Sequence, residues 1–285
     1  MAPPSPTVAN WELGIRLRER RDQLSLTATA VAKKLRCTQG YVSEVERGRT
    51  KVAKARLDQM IKLYEIDAGD IDELESLRQQ GNERAWWHAY SALFSEELLR
   101  FFGFEHGAET MRTFESGLIP GLLQTEDYAR ATIHGAGPNI RLAEVDKRLA
   151  ARMKRQERLA GDDPLHLTAV MSEAALRQQV GGREVMRAQL KHLVQRAEEY
   201  ADNLDIRVVP YTADAYDALG SSTFYLMTFP TGRVPSLLWT ESVTSTALND
   251  DEMRYREYDV AYAQAVGMAQ SRKDSLAFIR KLAKE

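Results

Sequence analysis

A single cysteine, Cys37, stands among 285 residues. It has no second thiol to join, which excludes a disulfide-stapled fold and fits a reducing cytoplasm. Long apolar runs are missing too: nothing reaches the roughly 20 consecutive apolar residues that span a bilayer. The opening MAPPSPTVAN has neither the basic start nor the apolar core of a secretory leader. Its three prolines suggest a short disordered arm over residues 1–9. The five histidines, His88, His106, His134, His166 and His192, fall at no zinc spacing and have no cysteine pair to complement them, so no metal or cofactor is expected. GGREVM lacks the lysine and threonine of a phosphate loop, and no glycine-flanked serine marks a nucleophile. The catalytic set is therefore empty, and the chain reads as a non-enzyme.

What is present is a charge asymmetry hidden in a net charge of -2. Residues 11–62 hold 13 Lys and Arg against 6 Asp and Glu, while the remainder holds 26 against 35. A basic segment joined to an acidic one confines any polyanion contact to the first.

That basic segment carries short helical patterns. Leu13, Leu17 and Leu24 define the first, with Asn10 placed to cap it. Thr27 can cap a second, whose inner face is Val31, Ala32 and Leu35. After only Arg36 and Cys37, Thr38 can cap a third, with Val42 and Val45 inward and Gly48 ending it. Leu57, Met60, Ile61 and Tyr64 mark a fourth, and a fifth begins near Asp70. Two helices separated by so short a turn have helix-turn-helix geometry, in which the second helix enters the major groove. Gln39, on its leading turn, can bond an adenine edge through both amide atoms. Tyr41, Ser43 and Glu44 complete the base-reading set, and Gly40 removes one side chain from it. Thr27, Lys33 and Thr38 join Arg47, Arg49 and Lys51 as contacts to the DNA; the last three follow the helix, where a basic loop meets phosphates.

The stretch LRERRDQLSLTATAVAKKLRCTQGYVSEVERGR resembles the Xre/Cro family of repressor DNA-binding domains. The resemblance implies a five-helix bundle that binds a double-stranded DNA operator, generally as a homodimer. It also implies a buried structural pair between Arg21 and Glu46. Three positions depart from the family pattern: Ala28 replaces a glutamine, Ala30 a capping glutamate, and Arg36 the glycine of the turn.

Beyond Gly81 and Asn82, a candidate boundary, Trp86, Trp87, Tyr90, Phe94, Phe101 and Phe102 gather aromatic side chains. They read as a packing helix or as a ligand pocket built from Trp86, Trp87 and Trp239. Thr125 can cap a helix through Tyr128 and Ala129. RLAEVDKRLAARMKRQERLAG reads as a charged helix with Leu142, Val145, Leu149, Met153 and Leu159 inward and its arginines on a solvated face. LHLTAVMSEAAL and LDIRVVPYT read as strands flanking a helix, hence a right-handed parallel crossover. STFYLMTFP and PSLLWTES extend the sheet as an antiparallel meander, and two helices close the chain.

From about Arg84 onward, PGLLQTEDYARA, RMKRQERL, SEAALRQQVGG, VMRAQL and DSLAFIRKLA resemble the C-terminal domain of actinobacterial antitoxin-like Xre regulators. That resemblance implies a small co-encoded protein partner. The expected architecture is mainly α with an α+β C-terminal domain: an arm over 1–9, a helix-turn-helix bundle over 10–80, and a mixed sheet flanked by helices over 84–285. The expected function is a cytoplasmic, dimeric DNA-binding regulator without membrane contact. The alternatives are a small-molecule sensor or a toxin-sequestering module that autoregulates.

Overall fold

The computed structural model describes residues 2–135, 141–242 and 245–285. The chain divides into two compact units, residues 3–89 with the segment 231–234, and residues 90–230 with 235–285.

The first unit is a bundle of five helices: α1 (Pro6–Gln23), α2 (Ala28–Leu35), α3 (Gln39–Glu46), α4 (Lys54–Leu63) and α5 (Ala68–Asn82). Leu13, Leu17, Val31, Val42, Val45, Leu57, Met60 and Tyr64 meet in its core. α1 begins earlier than the sequence suggests. Pro6 occupies its first turn, where a missing N–H costs nothing, and Ala9 is buried. The expected arm over residues 1–9 is thus shortened to the residues before Pro6, of which Met1 lies outside the described set. Asn10 does not cap this helix. It lies inside it and donates through Nδ2 to the Gly81 carbonyl at 2.7 Å, tying α1 to α5.

The second unit is built on a six-stranded mixed sheet. Its elements run α6 (Glu96–Gly107), β1 (Thr110–Glu115), α7 (Glu126–Gly135), α8 (Leu142–Arg155), β2 (His166–Ser172), α9 (Glu173–Arg177), α10 (Arg183–Glu199) and β3 (Leu204–Val209). They continue as β4 (Phe224–Thr228), β5 (Leu237–Glu241), β6 (Thr246–Asn249), α11 (Glu252–Met268) and α12 (Arg272–Leu282). The strand order is β3-β2-β1-β4-β5-β6. β1, β2 and β3 are parallel, joined through helices, whereas β4, β5 and β6 add on antiparallel, as short connections require.

Strand alternation assigns the two faces. Phe114, opposite both Val170 and Phe224, points with Leu226 and Leu238 toward Tyr262 and Ala265 of α11. Thr113, Glu115, Tyr225 and Trp239 point the other way, where Phe101 of α6 stacks on Trp239 at 4.7 Å.

α8 departs from its sequence reading. Leu142 is exposed, whereas the arginines are largely drawn inward. Arg155 forms a two-pronged pair with buried Glu105, both contacts at 2.7 Å. Arg158, just beyond the helix, donates to the carbonyls of His106, Ala108 and Asp163. Arg152 is held by Gln124 Oε1 and Thr132 Oγ1 at 2.8 and 2.9 Å. Their planar forks satisfy backbone and carboxylate oxygens that burial would otherwise strand.

Candidate nucleic-acid interface

The turn between α2 and α3 is closed by side chains at both helix starts. Thr27 Oγ1 accepts from Ala30 N–H, and Thr38 Oγ1 accepts from Tyr41 N–H, each at 3.1 Å. Each threonine satisfies an amide that the helix cannot. α2 ends with Arg36 in the left-handed region, φ 52° and ψ 49°. The Cys37 and Arg36 amides reach back to the carbonyls of Ala32 and Lys33. This is the bond pattern in which glycine is usual, and here a guanidinium-bearing residue carries the strain. α3 closes by the same pattern with a glycine, Gly48 at φ +65°. The Gly48 and Arg49 amides bond the Val45 and Glu44 carbonyls.

These ends fix which face of α3 turns outward. Val42 and Val45 are 0% and 1% exposed. Thr38, Gln39 and Gly40 are exposed, and Tyr41, Ser43 and Glu44 half-buried on the same short helix. Gln39 Nε2 lies 3.4 Å from Ser43 Oγ, and Glu44 accepts from Arg47 at 3.2 Å. Thr27, Lys33, Arg47 and Arg49 are exposed around them. Lys51 is exposed too, and it also ties the loop to the end of α5. Its ammonium donates to the carbonyls of Asn82 and Glu83 at 3.0 and 3.3 Å, where the end of α5 leaves acceptors without helical donors.

Beneath the outward face the bundle holds α3 by charge and by close backbone approach. Arg21 donates through Nε and Nη2 to the two oxygens of Glu46 at 2.6 and 2.9 Å, and through Nη1 to the Leu26 carbonyl. A Cβ at Gly14 would stand 2.5 Å from the Val45 carbonyl oxygen; one at Gly48 would stand 2.4 Å from the Trp11 Cα. Only hydrogen fits at either crossing.

Arg56 of α4 was not singled out by the sequence. Its Nη1 donates to the Leu35 carbonyl at 2.6 Å, and its guanidinium lies 5.6 Å from the Tyr41 ring centroid. It therefore braces the end of α2 and the Tyr41 side chain together. Burial raises the Tyr41 hydroxyl pKa, keeping a neutral donor at this site. No spacing rule links Arg56 to a ring 15 positions away, so no local pattern marks it.

The three tryptophans expected to line a pocket are split between the two units, Trp86 and Trp87 in one and Trp239 in the other. Trp87 and Trp239 are 1% and 0% exposed and filled in by neighbours, so neither offers a face to an open ligand pocket. The large apolar area of an indole is spent on packing instead.

Residues 12–74 match a family model described as Helix-turn-helix domain. Residues 98–281 match one described as Domain of unknown function (DUF5753). No curated protein and no solved structure matches the chain.

Proposed function

We propose a specific task for this chain, which belongs to the family described as Domain of unknown function (DUF5753) and is a DNA-binding regulator through its helix-turn-helix domain: it is a cytoplasmic, sequence-specific transcription factor of Xre type that grips its operator as a homodimer. One observation carries the reading. α3 is capped, anchored through Val42 and Val45, and turned so that Gln39 and its exposed neighbours face outward while basic residues flank it. In that arrangement Gln39, Tyr41, Ser43 and Glu44 meet base edges, and Lys33, Arg47 and Arg49 meet phosphates.

The C-terminal unit, antitoxin-like by resemblance, receives the signal of a small protein partner and takes no catalytic part. Exposed apolar side chains on α11, Met253, Val260 and Met268, support a surface that another protein covers. A partner acts on DNA binding only by favouring one arrangement of the paired heads, since equal affinity for both shifts nothing. Among the described residues, no helix is long and apolar enough to cross a membrane.

The test is the salt dependence of DNA binding. A dimer that neutralises about 6–10 phosphates loses roughly 10³–10⁵ in affinity between 50 and 200 mM salt. A flat response, measured by fluorescence anisotropy on a duplex selected from a random pool, rules the reading out.

A further inference from the structure

Arg56 stands on the first turn of α4, whose Leu57 and Met60 are fully buried and seat that helix on the bundle core. Its guanidinium reaches away from α4 to the place where α2 ends and α3 begins. Nη1 donates to the Leu35 carbonyl at 2.6 Å and to Gln59 Oε1 at 3.0 Å. Leu35 is the last residue of α2, so its carbonyl is one that the helix leaves without a donor, at the negative end of the helix dipole. Two acceptors independent of Tyr41 thus hold the guanidinium in place.

Within α3 itself little orients the Tyr41 ring. The residue flanks the buried side of the helix, one turn before Val45, and is half-buried at the edge of the bundle core. Of its other neighbours one turn along the helix, Thr38 is occupied as the cap and Glu44 accepts from Arg47. The Arg56 guanidinium lies 5.6 Å from the ring centroid, within reach of a cation–π contact. A guanidinium has donors alone, so a tyrosine hydroxyl beside it can only accept from it and keeps its own proton to give elsewhere. Burial holds that hydroxyl protonated against the pull of the Arg56 charge.

We propose that Arg56 is a positioning residue of the reading head: it fixes the Tyr41 ring and directs the hydroxyl proton outward, so that Tyr41 reads a hydrogen-bond acceptor on a base edge. Arg56 thereby sets the preference at a base pair it does not touch. Purine N7, guanine O6 and thymine O4 are acceptors of that kind in the major groove. The inference deepens the DNA-binding reading and rests on it. It differs from a phosphate contact, which acts on all sequences alike.

Anisotropy competition with the full chain, on the selected duplex and on each of its single base-pair substitutions, decides the matter. Tyr41→Phe first marks the base pairs read through the hydroxyl. Discrimination there is expected to fall about fivefold, the effect of one hydrogen bond. Arg56→Met is expected to lose the same discrimination at the same base pairs and to leave the others unchanged. Arg56→Lys, which keeps the charge without the planar fork, is expected to lose most of it too. The double variant Tyr41→Phe, Arg56→Met discriminates no worse than either single variant. Ratios between duplexes on one preparation are not moved by a fraction of chain that fails to fold, so a merely structural role for Arg56 leaves them at wild-type values. Full discrimination by Arg56→Met or by Tyr41→Phe overturns the inference. So does a loss at all base pairs alike, with a salt slope reduced by about 1 and rescue by Arg56→Lys, which marks a phosphate contact. A wild-type chain without sequence preference overturns the DNA-binding reading, and the inference with it.

Discussion

Arg21 and Glu46, separated by 25 positions in sequence, are joined by two parallel hydrogen bonds of 2.6 and 2.9 Å beneath the exposed face of α3. Their side chains are 11% and 8% exposed, so either one left alone would be a stranded charge. Breaking such a pair by removing one partner costs about 3–5 kcal/mol, whereas replacing both by apolar residues of similar volume is far milder. Arg21→Met is expected to fall in this range in urea unfolding, and Arg21→Met with Glu46→Leu to recover most of the loss. Equal destabilisation of the single and double variants would show that the pair is not held as a unit.

Arg36 supplies a stabilising substitution. It holds a left-handed conformation that strains any side chain with a Cβ, while its own amide is already bonded. Arg36→Gly removes a strain of about 1–2 kcal/mol and restores part of it as unfolded-state entropy, for a net gain of roughly 0.5–1 kcal/mol. A thermal melt of the variant checks this, and a lower midpoint contradicts it.

Base reading and phosphate contact separate by mutation. Gln39→Ala is expected to narrow the difference between selected and random duplexes by about 1–3 kcal/mol. Arg49→Ala is expected to weaken both alike and to reduce the slope of log affinity against log salt by about 1. Competition binding at two salt concentrations measures both effects, and identical behaviour of the two variants removes the division of labour.

The second unit holds two groups with opposite pH dependence. Burial pushes Glu115 up to about 7, against the hydroxyls of Thr223, Tyr225 and Thr113, which favour the carboxylate. Its contribution is therefore present below the usual carboxylate range and is lost as pH rises toward 7. Burial, with the charge of Arg158 second, lowers His106 to about 4. That contribution is present above 6.5 and is lost as pH falls toward 4. The two slopes oppose each other over most of the same window, so the contributions of Glu115 and His106 largely cancel there. Glu115→Gln is expected to unmask the histidine slope and to gain about 2 kcal/mol on the wild type at pH 8 relative to pH 5. Urea midpoints at both pH values decide it.

The reading head was legible because its signals are local. Thr27, Thr38 and Gly48 lie within three residues of the groups they satisfy, and Val42 and Val45 repeat at helical spacing. The strands were legible for a similar reason, since LHLTAV and LDIRVV largely alternate apolar and polar residues, with Leu204, Ile206 and Val208 buried and Asp205 and Arg207 between them half-buried. Arg36 was legible only as the residue standing where the resembling family has its turn glycine, because the local sequence is silent where no glycine marks a left-handed turn. Ser25 and Glu65 share that conformation and that silence. The α8 arginines misled for another reason: Glu105 lies 50 residues before Arg155, and a basic helix paired at such distance has the composition of a solvated one. The main-chain acceptors of Lys51 were hidden for the same reason, standing 31 and 32 positions away.

The two glycine crossings have a mechanical consequence. At Gly14 and Gly48 the main chain of α1 touches the main chain around the end of α3, with no side chain between them to rotate or give way. A joint of that kind has one seating and resists shear, as close-packed interiors do. The head therefore meets a double helix as a stiff template. Any misfit in groove width or twist is then expected to fall on the nucleic acid, whose bending energy varies with sequence.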